Sequence, residues 1–245
     1  MTTLVMLTFL FLKTGEKFAT QEVAGPTVAG FTSYVATQLG DVQFAPVVMN
    51  DPQKAAELVA VKKPAVGIVT PGFYFAHADA LTPLLEVQRA GVPVEKYVVV
   101  ARKGTDWKGK PVATSLAAES RYVQRVILRG ESPLTPVADV ETALFDLAAG
   151  KGAAAVLVEA EAWKLFAGDP ELAGELVVVQ ESEALPGSLV VACAGWTGGD
   201  RLKQALKKMG ETEEGKKVLA SLRVAAFTEV DQDRLKQAEK RFHGR

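Results

Sequence analysis

Residues 95–115 read EKYVVVARKGTDWKGKPVATS, and how this stretch is divided decides the fold. Glu95–Lys103 (EKYVVVARK) reads as a strong strand, apolar and β-branched at its centre and bounded by charge. Gly104–Lys110 is polar and rich in turn formers, and a second short apolar run, Pro111–Thr114, begins directly after it. The polar stretch is therefore the expected boundary between two structural blocks.

Working outward, apolar runs of strand length alternate with segments of helical period on both sides, the pattern of βαβ units and a mostly parallel sheet. Before the boundary the sequence predicts strands at Thr3–Leu12, Val42–Met49, Ala65–Thr70 and Leu84–Val87, with helices at Pro26–Leu39, Gln53–Val61 and Phe73–Asp79. Gly40 ends the first helix, and Asn50-Asp51-Pro52 supplies a cap and a first-turn proline for the second. After the boundary it predicts strands at Pro111–Thr114, Pro136–Ala138, Ala153–Val158 and Glu175–Gln180, with helices at Ser120–Leu128, Asp139–Ala149 and Glu161–Phe166. Ser188–Ala194 (SLVVACA) is a further strand, followed by helices near Asp200–Met209, Glu213–Leu222 and Asp231–Phe242. The expectation is an α/β protein of two lobes, each a mostly parallel sheet flanked by helices, joined by crossing strands at Lys96–Arg102 and Ser188–Ala194. Lobe one takes residues 1–100 and is completed by the C-terminal helices within 195–245; lobe two takes residues 101–194. Ligands of such folds bind outside the carboxyl ends of the parallel strands, here in the cleft between lobes.

Composition narrows the function. The 28 Lys and Arg against 29 Asp and Glu leave a net charge of −1, so the bulk attraction used on nucleic acid or anionic membranes is missing. Cys193 is the sole cysteine and His77 and His243 the only histidines, which rules out an intrachain disulfide and leaves few ligands for zinc. No metal or cofactor is expected. Leu4–Leu12 is apolar enough to resemble the core of an export signal, but it has no basic residue before it and its β-branched and aromatic content suits the first strand. On that reading the numbered chain is a mature form.

Gly104–Lys110 matches the first seven positions of a nucleotide-binding P-loop, yet Pro111 stands where a magnesium-binding Ser or Thr is needed and a strand follows instead of a helix. It is read as a surface turn. No HExxH, GxSxG or strand-linked GxGxxG is present, and Cys193, inside an apolar strand, is read as a small buried hydrophobe. The more informative stretch is Thr114-Ser115-Leu-Ala-Ala-Glu119-Ser120-Arg121-Tyr122, a hydroxyl-rich loop between a strand and a helix start. Hydroxyls and free backbone N–H groups there suit a small anion, and equally suit plain helix capping by Ser115 or Ser120. Thr70-Pro-Gly-Phe-Tyr74 occupies the matching turn of the first series, so Thr70 and Tyr74 face the same cleft, although Tyr74 is as well explained as a packed aromatic. Glu159 follows a strand and points the same way, with a solvated carboxylate at a helix start as its ordinary reading. Trp163 and Trp196 are read as packing between elements.

Five stretches carry a resemblance: YVVVARKGTDWKGKPVATS (97–115), ESRYVQRVIL (119–128), DVETALFDLAAGKGAAAVLV (139–158), ALPGSLVVACAG (184–195) and the ending GKKVLASLRVAAFTEVDQDRLKQAEKRF (215–242). Together they resemble the phosphate/phosphonate-binding branch of the type II periplasmic binding proteins. The resemblance implies a periplasmic or extracytoplasmic, non-catalytic solute-binding component of an ABC-type importer, monomeric, capturing a small molecule and delivering it to a membrane permease. It implies ligand contacts from Thr70, Tyr74, Thr114, Ser115, Ser120 and Arg121, with Glu159 also facing the cleft. The chain departs from the family where a Ser-x-Ser-Gly loop is usual and Ala118-Glu119-Ser120-Arg121 stands instead; Glu119 and Glu159 both oppose a dianion through like-charge repulsion. An enzyme or a regulatory sensor domain on the same scaffold is the alternative.

Overall fold

The computed structural model describes residues 5–62, 64–92 and 94–244. Two compact units are present: the first comprises Met1–Thr14, Phe18–Pro93 and Pro186–Gln232, the second Gly15–Lys17, Val94–Leu185 and Asp233–Arg245.

In the first unit the chain runs β1 (Val5–Leu12), α1 (Gly25–Leu39), β2 (Val42–Met49), α2 (Pro52–Lys62), β3 (Val66–Val69), α3 (Pro71–Ala76) and β4 (Leu81–Arg89). Thr3 and Leu4, expected in the first strand, lie outside the described residues. Gly40 closes α1 with φ 80°, its N–H reaching Ala36 O. Asp51 opens α2 by accepting the Gln53 N–H at 2.9 Å. In the second unit follow β5 (Tyr97–Arg102), β6 (Val112–Thr114), α4 (Ser120–Tyr122) continuing as a π-helix over Val123–Leu128, β7 (Leu134–Pro136), α5 (Val140–Ala148), β8 (Ala155–Glu159), α6 (Ala160–Phe166), α7 (Pro170–Glu175) and β9 (Leu176–Glu181). The chain then returns to the first unit for β10 (Leu189–Cys193), α8 (Gly199–Lys207), α9 (Glu213–Ser221) and β11 (Val224–Thr228), before ending in α10 (Gln232–His243).

The first sheet has the order β11-β4-β10-β3-β1-β2 and the second β7-β6-β8-β5-β9. In the first, β1 pairs in parallel with β2 and β3, while β10 runs antiparallel to both β3 and β4. In the second, β6 pairs in parallel with β7 and β8, while β5 runs antiparallel to β8 and β9. Most strands of each sheet therefore point one way. Each expected connecting strand proves to be a central strand of a sheet, β5 between β8 and β9, β10 between β3 and β4. The chain changes unit just ahead of each, after Pro93 and after Leu185.

Gly104–Lys110 is thus not the boundary. It is a pair of turns inside the second unit, with Gly104 at φ 76° and Gly109 at φ 71°. Thr105 N–H bonds Arg102 O, Lys110 N–H bonds Trp107 O and Lys108 N–H bonds the Asp106 carboxylate, while the Trp107 ring is buried. Those donors serve the turns themselves, the opposite of a phosphate cradle.

Phe9 anchors the first core, edge-on to Phe31 at 5.6 Å and to Phe44 at 5.8 Å, with Leu85, Val190, Leu202 and Met209 around them. The second core gathers Val98, Val100, Leu144, Val156, Leu172 and Leu176. Trp163 packs against the second and Trp196 against the first, as packing residues should.

Helix α10 departs from expectation: it belongs with the second unit and does not complete the first. Leu235, Ala238 and Phe242 are its buried face. Arg121 Nε donates to Phe242 O at 3.0 Å, and the guanidinium lies 4.7 Å from the centre of the Phe242 ring. Glu183 accepts from Arg241 at 2.6 Å and also pairs with Arg129. These arginines hold the Glu183 carboxyl below its ordinary range, Arg241 contributing most.

Candidate functional site

Parallel strands direct their carboxyl ends to one edge of each sheet, and the loops that leave those ends carry the hydroxyl groups singled out in the sequence. In the first unit β3 ends at Val69, and Thr70 follows as the N-cap of α3 with extended φ/ψ (−70°, 153°). Its side chain makes no capping bond to the helix. Pro71 in the first turn has no N–H that needs an acceptor, and the cap position is set by backbone shape. Tyr74, whose N–H bonds Thr70 O, is buried beside Phe75 with ring centres 5.5 Å apart. It is largely a packing residue. Further along the same edge, buried Glu86 near the end of β4 accepts the Gly187 N–H at 2.7 Å. A side chain on Gly187 would come within 2.9 Å of Val87 O, so only glycine fits where the chain re-enters this sheet. The sequence reading missed Glu86, because an acid inside an apolar strand gave no motif.

In the second unit β6 ends at Thr114, which is buried and accepts the Leu116 N–H on Oγ1 at 3.1 Å. This local turn fixes the loop and explains the hydroxyl without a ligand. Ser115 is half-buried. Against it lies Gly15, φ 82°, where a Cβ would stand 2.9 Å from Ser115 Oγ and 2.9 Å from the Leu116 side chain. Ser120 is exposed at the first position of α4, and the preceding Glu119 gives no side-chain cap, so the capping reading of Ser120 does not hold. Arg121 is directed elsewhere: its Nε and the face of its guanidinium are taken by Phe242, which removes it from the set of ligand contacts best supported here. Glu159, at the N-cap of α6, stands opposite Tyr97 in the β5–β8 ladder and makes no capping bond.

Burial shifts two further titratable groups. Burial lowers the His77 pKa, with Asp79 partly opposing it, and its ring packs 4.5 Å from that of Phe73. Burial pushes the Cys193 thiol up to about 11, the behaviour of an inert core cysteine. Among the described residues no cluster of His, Cys, Asp and Glu gathers to hold a metal ion, and no helix is long and apolar enough to cross a membrane.

Solved structures share this architecture. XAC2383 from Xanthomonas citri, bound to ATP, superposes with a TM-score of 0.76 at 12% identity, covering 98% of this chain and 97% of its own. A binding protein component of an ABC phosphonate transporter from Pseudomonas aeruginosa gives 0.64 at 15% identity, with 98% and 88% covered. PhnD1 from Prochlorococcus marinus, in complex with methylphosphonate, gives 0.61 at 14% identity, with 98% and 97% covered. The fold is that of the periplasmic binding proteins of type II. Residues 18–235 match the family described as ABC transporter, phosphonate, periplasmic substrate-binding protein, and the chain belongs to that family. No curated protein matches it in sequence. Membership implies an extracytoplasmic place of work, a small-molecule ligand and a permease partner.

Proposed function

We propose that this chain captures a small phosphonate-like oxyanion through the strand-end loops of its units and passes it on unchanged to a membrane permease. The observation that carries the reading is the pair of hydroxyl-bearing loops, Thr70 after β3 and Thr114-Ser115 after β6, each leaving the carboxyl end of a parallel strand. Hydroxyls and backbone N–H groups in such loops bind an oxyanion without net positive charge, by donating to oxygens that a charged side chain would otherwise neutralise. The ligand set best supported is Thr70, Ser115 and the N-terminal end of α4 around Ser120, with Tyr74 and Thr114 shaping the loops from which these groups project. Glu119 and Glu159 limit the charge the ligand can carry, so a singly ionised phosphonate is favoured over a dianion or a polyanion. Family membership supports the absence of chemistry on the ligand.

A thermal-shift screen tests this against methylphosphonate, 2-aminoethylphosphonate, phosphite, phosphate, alkylsulfonates and ATP. Ligand at about a hundred times its dissociation constant adds about 2.7 kcal/mol, which raises the melting temperature by several degrees. The reading predicts that rise with a phosphonate or phosphite, and recovery of the ligand intact. A rise with ATP alone, or turnover of any bound compound, would contradict it.

A further inference from the structure

Parallel register places the end of β1 beside the end of β3: Phe11 pairs with Ile68, and Thr14 follows the end of β1 by two residues as Thr70 follows the end of β3 by one. Thr14 is only 4% exposed, and its Oγ1 is a buried side-chain oxygen with no hydrogen-bond partner. That is an unusual state for a hydroxyl, because folding takes it from solvent and no protein group replaces the water. Valine has the same shape and no such cost. The next residue, Gly15, turns at φ 82° and packs against Ser115 Oγ.

We propose that Thr14 Oγ1 donates a hydrogen bond to an oxygen of the bound oxyanion, and that the ligand is the partner no group of the protein supplies. The assignment rests on the functional reading above. It adds to that reading a ligand contact from β1, and it explains why an acceptor arriving at this edge gains more than it would from a hydroxyl already engaged. Such a donor is desolvated in advance, and nothing within the protein has to be broken for it to serve the ligand.

Thr14→Val and Thr14→Ser, made in the full chain, test the proposal by titration with methylphosphonate and by melting without ligand. Thr14→Val is expected to weaken binding about 10- to 100-fold, the effect of one hydrogen bond to a charged oxygen, and to leave the ligand-free melting temperature unchanged or higher. Thr14→Ser, which keeps the hydroxyl, is expected to bind within a few-fold of the wild type. Thr14→Val that binds as tightly as wild type overturns the assignment alone. So does a marked fall in its ligand-free melting temperature, since that shows a partner inside the fold. Wild-type protein that binds no oxyanion of the screen overturns the functional reading itself and this proposal with it.

Discussion

Among single residues, His77 shows most simply how environment sets chemistry. It caps the end of α3, where burial against Phe73 favours the neutral ring and the nearby Asp79 carboxylate only partly offsets that preference. A histidine whose pKa is lower in the folded than in the unfolded chain binds protons more readily when unfolded. Its contribution is therefore fully present above the ordinary value of 6.5 and is lost as pH falls toward the depressed folded value. We expect the urea midpoint to fall between pH 7.5 and 5.5, and His77→Gln to flatten that dependence; equal slopes for variant and wild type would show that His77 is not its source. The candidate site was only partly legible at this scale. Thr70 and Ser115 can be singled out in the sequence because a hydroxyl after a strand and before a helix start is a local signal, and both do follow strand ends. Thr14 and Glu86 were not, since what distinguishes them is burial and the presence or absence of a partner, neither of which one sequence displays. Arg121 misled for another reason. It entered the set of ligand contacts only through the family resemblance, and its partner in the structure, Phe242, lies far along the chain.

Elements were read well wherever periodicity is strong and poorly wherever tertiary context decides. The strand Val42–Met49 appears with its expected bounds, because eight largely apolar or β-branched residues sit between a helix-ending glycine and an Asn-Asp-Pro cap. Strand β11 escaped notice: Val224–Thr228 contains two alanines, directly follows α9, and owes its conformation to pairing with β4. Helix α7 was missed although Asp169 caps it, accepting the Glu171 N–H at 2.8 Å ahead of Pro170. At six residues it is too short to show a period. Helix α10 was read correctly as a helix and assigned to the wrong partner. Its anchor is Phe242, 3% exposed and gripped by Arg121. Phe242→Ala should destabilise the chain by about 3–5 kcal/mol, seen as a lower denaturant midpoint, through loss of a buried ring and of the guanidinium stacked on it. A change below about 1 kcal/mol would mean that α10 adds little to the second unit.

For the molecule as a whole, fold class followed from the alternation of short apolar runs and helical segments, while the division into units did not. The polar, glycine-rich Gly104–Lys110 stretch, read as a surface turn and as the boundary, is a turn inside the second unit; the changes of unit fall beside Val92-Pro93-Val94 and Leu185-Pro186-Gly187, where composition barely alters. What unites the account is that both units offer hydroxyls at the carboxyl ends of parallel strands, in a family of periplasmic substrate-binding proteins. The most direct test is calorimetric titration of wild type, Thr70→Val and Ser115→Ala with methylphosphonate. The account predicts saturable binding of one ligand per chain, weakened about tenfold or more by each substitution, one in each unit. Binding unchanged in both variants, or no binding by the wild type, would contradict it.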